Sequence, residues 1–225
     1  MTVTTTGLTR AAGISAAAAG LIFVGVQINH PHLDVSSIAT TEMAVRSTAK
    51  LVMGALALAG ITGMYLRQVR EAGVLGLVGY LLLSAFYLVL MPVEFTAAYV
   101  LPALADTAPD YVSDVLAAST GGTTTGDIGA LQTVFVVSGV LYIAGGLVFG
   151  IALFRAGVLA RWAAALLAVG TVATLALAVL PESFDRPLAV PTGVALVGLG
   201  ISLWRDQRRS AAPAAGRRAE LAGSR

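Results

Sequence analysis

Apolar residues in this chain come in runs of 17 to 27, parted by short polar turns. The runs do not alternate as a half-buried strand would, and they lack the narrow apolar stripe of a soluble helix. A helix rises 1.5 Å per residue, so about 20 apolar residues cross a hydrocarbon layer of about 30 Å. The runs lie at about 11–29, 49–66, 74–91, 128–154, 163–180 and 188–204. They predict an all-α polytopic membrane protein, with one six-helix transmembrane domain over 1–204. Residues 205–225 read as a disordered basic cytoplasmic tail, because Arg, Ala and Pro dominate them. The first run also invites a signal-peptide reading. A single Arg before it and no A-x-A site after it favour a retained first helix.

The breaks between runs have their own signatures. His30-Pro31-His32 closes the first helix, since a residue before proline is biased out of the helical region. Asp34 or Ser36 then caps a long second helix over 37–67, whose extension carries Glu42, Arg46 and Lys50 at intervals of four. The third run is expected to stop at Pro92. After it comes the one long connection, 92–127, with Glu94, Asp106, Asp110, Asp114 and Asp127 and not one Lys or Arg. Within it, 95–105 is too short to span and is interrupted by Pro102, so it reads as an interfacial or re-entrant piece. A short helix over 110–119 follows, with Tyr111, Val112, Val115 and Leu116 on its apolar face and Asp110, Ser113 and Asp114 opposite. A glycine-rich loop completes a small extracytoplasmic helical cap.

Charge orients the bundle. Six spans place both termini on one side, together with Arg10, Arg67, Arg70, Arg155, Arg161 and the six Arg of the tail: eleven of the 14 basic residues. Arg46, Lys50 and Arg186 fall opposite, with nine of the 12 acids. The positive-inside rule makes both termini cytoplasmic and the cap external. Trp162 and Trp204 then sit at the inner interface, where aromatic belts lie.

Composition narrows the chemistry. Hydrophobic residues make up 57% and charged residues 12%, against roughly 25% charged in a soluble domain. There is no cysteine, which excludes disulfides, thiolate metal sites and cysteine nucleophiles. Richness in Ala, Gly, Val, Leu and Arg points to a high-GC bacterial source, and the localisation expected is the bacterial plasma membrane. The sequence has no phosphate-binding P-loop, nucleophile elbow, zincin helix or aromatic-interleaved basic face for nucleic acid.

An internal echo joins two hairpins. Arg70-Glu-Ala-Gly-Val-Leu75 matches Arg155-Ala-Gly-Val-Leu159, and Val-Leu-Met-Pro92-Val-Glu94-Phe95 matches Val-Leu-Pro181-Glu182-Ser-Phe184. A parallel repeat about an axis along the membrane normal accounts for it, as does convergence in Ala/Gly/Leu-rich sequence. Asn29-His30-Pro31, Gly60-Ile-Thr-Gly-Met-Tyr-Leu-Arg-Gln68 and the stretch from Gly146 to Trp162 resemble, in that order, a broad set of uncharacterised actinobacterial integral membrane proteins. The resemblance covers most of Arg10 to Trp204. It implies a bacterial multi-helix membrane protein and brings no substrate, cofactor or catalytic residue.

Candidate chemistry is sparse. His30 and His32, two apart in an extended segment, are weak metal candidates for Zn²⁺ or Cu²⁺; a headgroup-level turn explains them as well. Haem ligation needs His within the spans, where there is none. No cofactor is expected. Glu94 and Glu182 each follow a proline at the outer end of a span, and are candidates for a catalytic or proton-binding carboxylate pair. The alternative is solvated helix-end carboxylates paired with Arg46, Lys50 or Arg186. Gly146 and Gly150, in a Gly-x-x-x-Gly run, suit close helix packing. The Arg-rich tail suits anionic headgroups or, more simply, fixes topology.

Three roles remain open from sequence. The leading one is a non-enzymatic accessory or regulatory component that partners another membrane protein. A small-molecule or lipid binder or transporter is the second. The third is an enzyme on a lipid or isoprenoid substrate, with Glu94 or Glu182 as acid and an apolar cavity lined by Phe86, Tyr87, Phe135 and Tyr142. An outer cavity holding these carboxylates beside apolar walls would favour the last two.

Overall fold

The computed structural model describes residues 3–178 and 187–223, with side chains described to Ala176 and from Pro187 to Asp206. Helix is the only regular structure among them. The elements are α1 (Thr5–Gly25), α2 (Val35–Ile38), α3 (Thr41–Arg67), α4 (Val69–Phe95), α5 (Leu101–Leu104), α6 (Pro109–Ser119), α7 (Leu131–Ala156), α8 (Arg161–Ala173) and α9 (Val190–Gly223). Five helices are long and apolar enough to cross a membrane: α1, α3, α4 with its continuation to Leu104, α7, and the Pro187–Asp206 segment that begins α9. The sixth expected span appears as a shorter apolar helix, Arg161–Ala176, whose last turns tighten into a 3₁₀ helix at Thr174–Ala178.

These six helices form a closed ring. α1 packs on α3, α3 on α4, α4 on α7, α7 on α8, α8 on α9, and α9 returns to α1. Small residues let the backbones meet. A Cβ at Gly13 or Gly20 would strike the carbonyl oxygen of Gly200 or Gly193, and one at Gly79 would strike the backbone of Phe149. Lipid gives no hydrophobic drive between helices, so such close approach, with its dispersion contacts, holds the ring. Its interior is filled by Ile61, Met64, Leu83, Phe149, Leu153 and Leu199, all fully buried or nearly so.

Several boundaries move from their expected places. α1 starts six residues early because the Thr4 side chain accepts from the Gly7 amide, 3.1 Å away. It ends at Gly25, well before Pro31, where Arg46 gathers the carbonyls of Val26, Ile28 and Asn29 at 2.9–3.1 Å. A guanidinium there satisfies orphan carbonyls and opposes the helix dipole. The predicted second helix divides in two. Asp34 caps α2 through a reciprocal capping box with Ser37, and Thr40 caps α3.

Pro92 does not stop its helix. α4 runs through it to Phe95, and a π-helical turn at Thr96–Val100 carries the chain into α5, where Pro102 occupies the first turn. The segment 95–105 is therefore a continuation of the third long helix, not a separate interfacial or re-entrant piece. A proline removes one donor and crowds the carbonyl four residues back. The wider π turn sits between the two prolines and absorbs the mismatch. At the far end, α9 continues as helix to Gly223, through the segment expected to be an unstructured tail. Ala, Arg, Glu and Leu there are strong helix formers.

The echo between hairpins has a backbone counterpart. Gly73 and Gly157, at matched positions, both have left-handed φ, 56° and 65°. Gly157 closes α7 at the α7–α8 turn, whereas Gly73 kinks the first turns of α4 after a break at Gln68. The other half of the echo, Pro181 to Phe184, lies outside the described residues, as do Glu182, Asp185 and Arg186.

Candidate functional site

At one end of the ring the cap forms a second, smaller core. Ile38 of α2, Met43 of α3, Leu101 of α5, and Val112, Val115 and Leu116 of α6 are buried against one another. Tyr111 remains exposed, unlike the other three residues of the expected apolar face. Asp114 departs further. Expected on the solvent face, it is buried, and its carboxylate accepts from the amides of Thr125 and Gly126 at 2.8 Å each and from the Thr125 hydroxyl. These bonds, the Thr125 amide foremost, hold the Asp114 carboxyl below its ordinary value. The glycine-rich loop is thus tied to α6 by one side chain. Asp34 is likewise lowered, by the Ser36 hydroxyl first and the Ser37 amide next.

Beneath this cap lies a cavity of about 410 Å³. α4 contributes Leu88, Val89 and Val93 to its walls, α7 contributes Leu131, Val134 and Phe135, and the cap closes it with Ile38, Val115 and Leu116. A second cavity of about 150 Å³ reaches into the ring, between Phe23 of α1, Met53 of α3, Phe86 and Tyr87 of α4, Tyr142 of α7 and Leu196 of α9. Two residues line both cavities: Lys50 and Glu94. Their side chains, 18% and 11% exposed, form an ion pair with Lys50 Nζ 3.5 Å from Glu94 Oε1.

Each partner is placed by local structure. Four residues after Arg46, Lys50 sits one turn deeper on α3, and Arg46 itself is held by Glu42 at 2.7 Å and by the α1 carbonyls. Glu94 is carried into the interior because α4 continues helically past Pro92; a chain leaving the helix there would have freed it. At the level of the smaller cavity, Phe86 and Tyr142 meet with ring centroids 4.9 Å apart, and the Tyr142 hydroxyl lies 2.9 Å from Thr192 Oγ1.

The other expected residues are dispersed. Of the four aromatics read as cavity walls, Phe86, Tyr87 and Tyr142 line the smaller cavity and Phe135 the larger. His30 is half-buried and His32 exposed, the His30 Nδ1 lying 2.8 Å from the Pro31 carbonyl oxygen. No group of three or more His, Asp or Glu with metal-holding geometry exists among the described residues. Gly146 faces Thr171 and Gly150 faces Ala164 and Ala168, so both serve the α7–α8 contact. Glu182 lies outside the described residues, and among those described Glu94 is the sole carboxylate lining either cavity.

Sequence reading singles out Glu94 and names Lys50 among its possible partners, but it misses the hydroxyls of Ser47, Thr96 and Ser119, which line the larger cavity. Ser47 was open to detection: it stands three residues before Lys50 on one helix face. Thr96 and Ser119 arrive from elements whose packing no periodicity reveals. Comparison with protein-family models, with curated proteins and with solved structures finds no match to this chain.

Proposed function

We propose that this chain is a multi-pass membrane protein that binds a small amphipathic molecule beneath its cap. Five apolar helices of spanning length support the membrane assignment. The further topology rests on sequence: six apolar runs for six spans, the positive-inside distribution of Arg for cytoplasmic termini and an external cap, and composition for a bacterial plasma membrane. The observation that carries the binding role is the pair of apolar cavities meeting at Lys50 and Glu94. Ligand sites are mostly apolar clefts of about 300–1,000 Å³ with a few convergent polar groups, and the larger cavity has that size and lining.

This ranks binding above the accessory role favoured by sequence alone, which predicts spans packed solid. It also ranks binding above catalysis. An acid–base role needs a carboxyl free to reach a substrate, whereas Glu94 is engaged by Lys50 at 3.5 Å.

The test is native mass spectrometry of the protein purified in a mild detergent. A reproducible small-molecule adduct is expected, and Leu116→Trp, which fills the cavity from the cap side, is expected to lose it. Protein without an adduct overturns the proposal, and a stoichiometric partner protein in its place restores the accessory role.

A further inference from the structure

We infer that the ligand is a single-chain amphiphile whose head is uncharged and hydrogen-bonding, such as a glycerol-sized polyol or an amide. The inference rests on the binding role above and names the ligand class of that same site. It follows from the charge, the spacing and the volumes around Lys50 and Glu94.

The Lys50–Glu94 ion pair carries no net charge. Among the described residues no other charged side chain lines either cavity. A carboxylate or ammonium head entering here leaves one surplus charge in a poorly hydrated site, which costs several kcal/mol per ion. An uncharged head leaves none.

The spacing of the pair leaves room for a bridging group. At 3.5 Å the pair is longer than the ~2.7–2.9 Å of a charge-assisted hydrogen bond. An ammonium offers three donors and a carboxylate about four lone-pair positions, and a hydroxyl both donates and accepts. A hydroxyl head therefore donates to Glu94 and accepts from Lys50 without separating their charges. Gln27 and Tyr142, which line the smaller cavity, offer further polar groups to such a head.

Volume sets the size of each part. A water-sized group occupies roughly 30 Å³ of liquid volume, so about 410 Å³ holds on the order of a dozen heavy atoms. That matches one medium acyl or isoprenyl chain. By the same measure the smaller cavity, about 150 Å³, holds roughly five heavy atoms, the size of a glycerol head. Lys50 and Glu94 stand where the two spaces meet, at the expected junction of chain and head.

The route follows from α4 and α7. These helices touch backbone to backbone at Gly79 and Gly145, but at the cap end the larger cavity lies between them, and Leu88, one of its lining residues, is exposed. The chain enters sideways from the cap-side leaflet.

The experiment uses the full protein in nanodiscs at neutral pH, offered equimolar monolaurin, laurate and dodecylamine, with adducts counted by native mass spectrometry. Monolaurin is expected to exceed each charged probe by at least about tenfold, the ratio that corresponds to 1.4 kcal/mol. Glu94→Gln, which leaves the ammonium alone, is expected to turn the preference to laurate, and Lys50→Met to turn it to dodecylamine. If the native protein prefers either charged probe, the head assignment falls while the binding role stands. The head assignment falls equally if folded variants keep the native order. If no probe binds the native protein, the binding role itself falls. Should a variant fail to fold, the native order alone decides.

Discussion

The two ends of this helix ring are held together in different ways. Away from the cap, backbone meets backbone: Gly79 lies against Phe149, Gly145 against Leu83, Gly60 against Ala16, and Gly13 against Gly200. Fully buried Ile61, Met64, Leu153 and Leu199 fill what space remains. Toward the cap α1 and α9 still meet at Gly20 and Gly193, but two cavities open beside α4, and single side chains tie the elements around them. Arg46 joins α3 to the end of α1, Lys50 joins α3 to Glu94 of α4, and Asp114 joins α6 to the glycine-rich loop. Glycine contacts in lipid give rigidity because they gain dispersion along whole turns of helix. Side-chain tethers leave space between elements and localise polarity. One end is therefore suited to fixing the ring and the other to holding a guest.

The sharpest way to break this contrast is to place the same methyl group at the α4–α7 contact and at an open position on α7. Gly79→Ala sets a Cβ against the Phe149 backbone, and overpacking of that kind costs typically 1–3 kcal/mol. Gly139→Ala, with no neighbour within 4 Å, should be neutral or stabilise by up to about 1 kcal/mol through helix propensity. Reversible unfolding in mixed micelles reads both. Equal losses would mean that the Gly79–Phe149 contact is no tighter than an open helix surface.

Arg46→Ala tests the tethers at the cap end. It strips three carbonyls at the close of α1 of their donor, and a cation at a partly buried helix C-terminus contributes up to about 2 kcal/mol. Amide exchange is expected to rise at residues 22–29 while α7 and α8 stay protected. A uniform rise through the ring would show that the two ends are not separate units.

The smallest effect expected is acidic and local. Asp114 has a folded pKa below its ordinary value of 3.8, so its tether contributes fully above that value and is lost as pH falls through the lowered one. Exchange of the Thr125 and Gly126 amides should therefore stay slow at pH 5 and quicken only below the usual aspartate range. Asp114→Asn should quicken it at every pH. If acid loosened the loop and the α7–α8 contact together, the cap would not be an independent unit.

Much of the helical layout is legible in the sequence, because spanning a hydrocarbon layer demands unbroken apolar runs. α3 and α7 lie within about four residues of the ends read for their helices. Local signals are read correctly where they act alone: Asp34 caps α2, and Glu42 pairs with Arg46. They mislead where tertiary contacts outweigh them. Pro92 is a breaker by its own chemistry, yet α4 passes through it because the π turn beyond absorbs the strain. Asp114 has a solvent-face residue type at a solvent-face position, until a loop eleven residues on folds back to satisfy it.

The chain by itself determined that there are apolar helices of spanning length, roughly where they begin and end, and that Glu94 stands at the cap end of one of them. Those are consequences of solvent: lipid requires long apolar helices and confines carboxylates to their ends or to partners. Tertiary structure alone decided that the helices close into a ring, that two cavities open toward the cap, and that Lys50 meets Glu94 between them. Which helix faces which depends on the fit of glycine against backbone across elements far apart in sequence, as for Gly13 and Gly200. No periodicity within one segment encodes that fit. The site exists because the α4–α7 fit stops short of the cap.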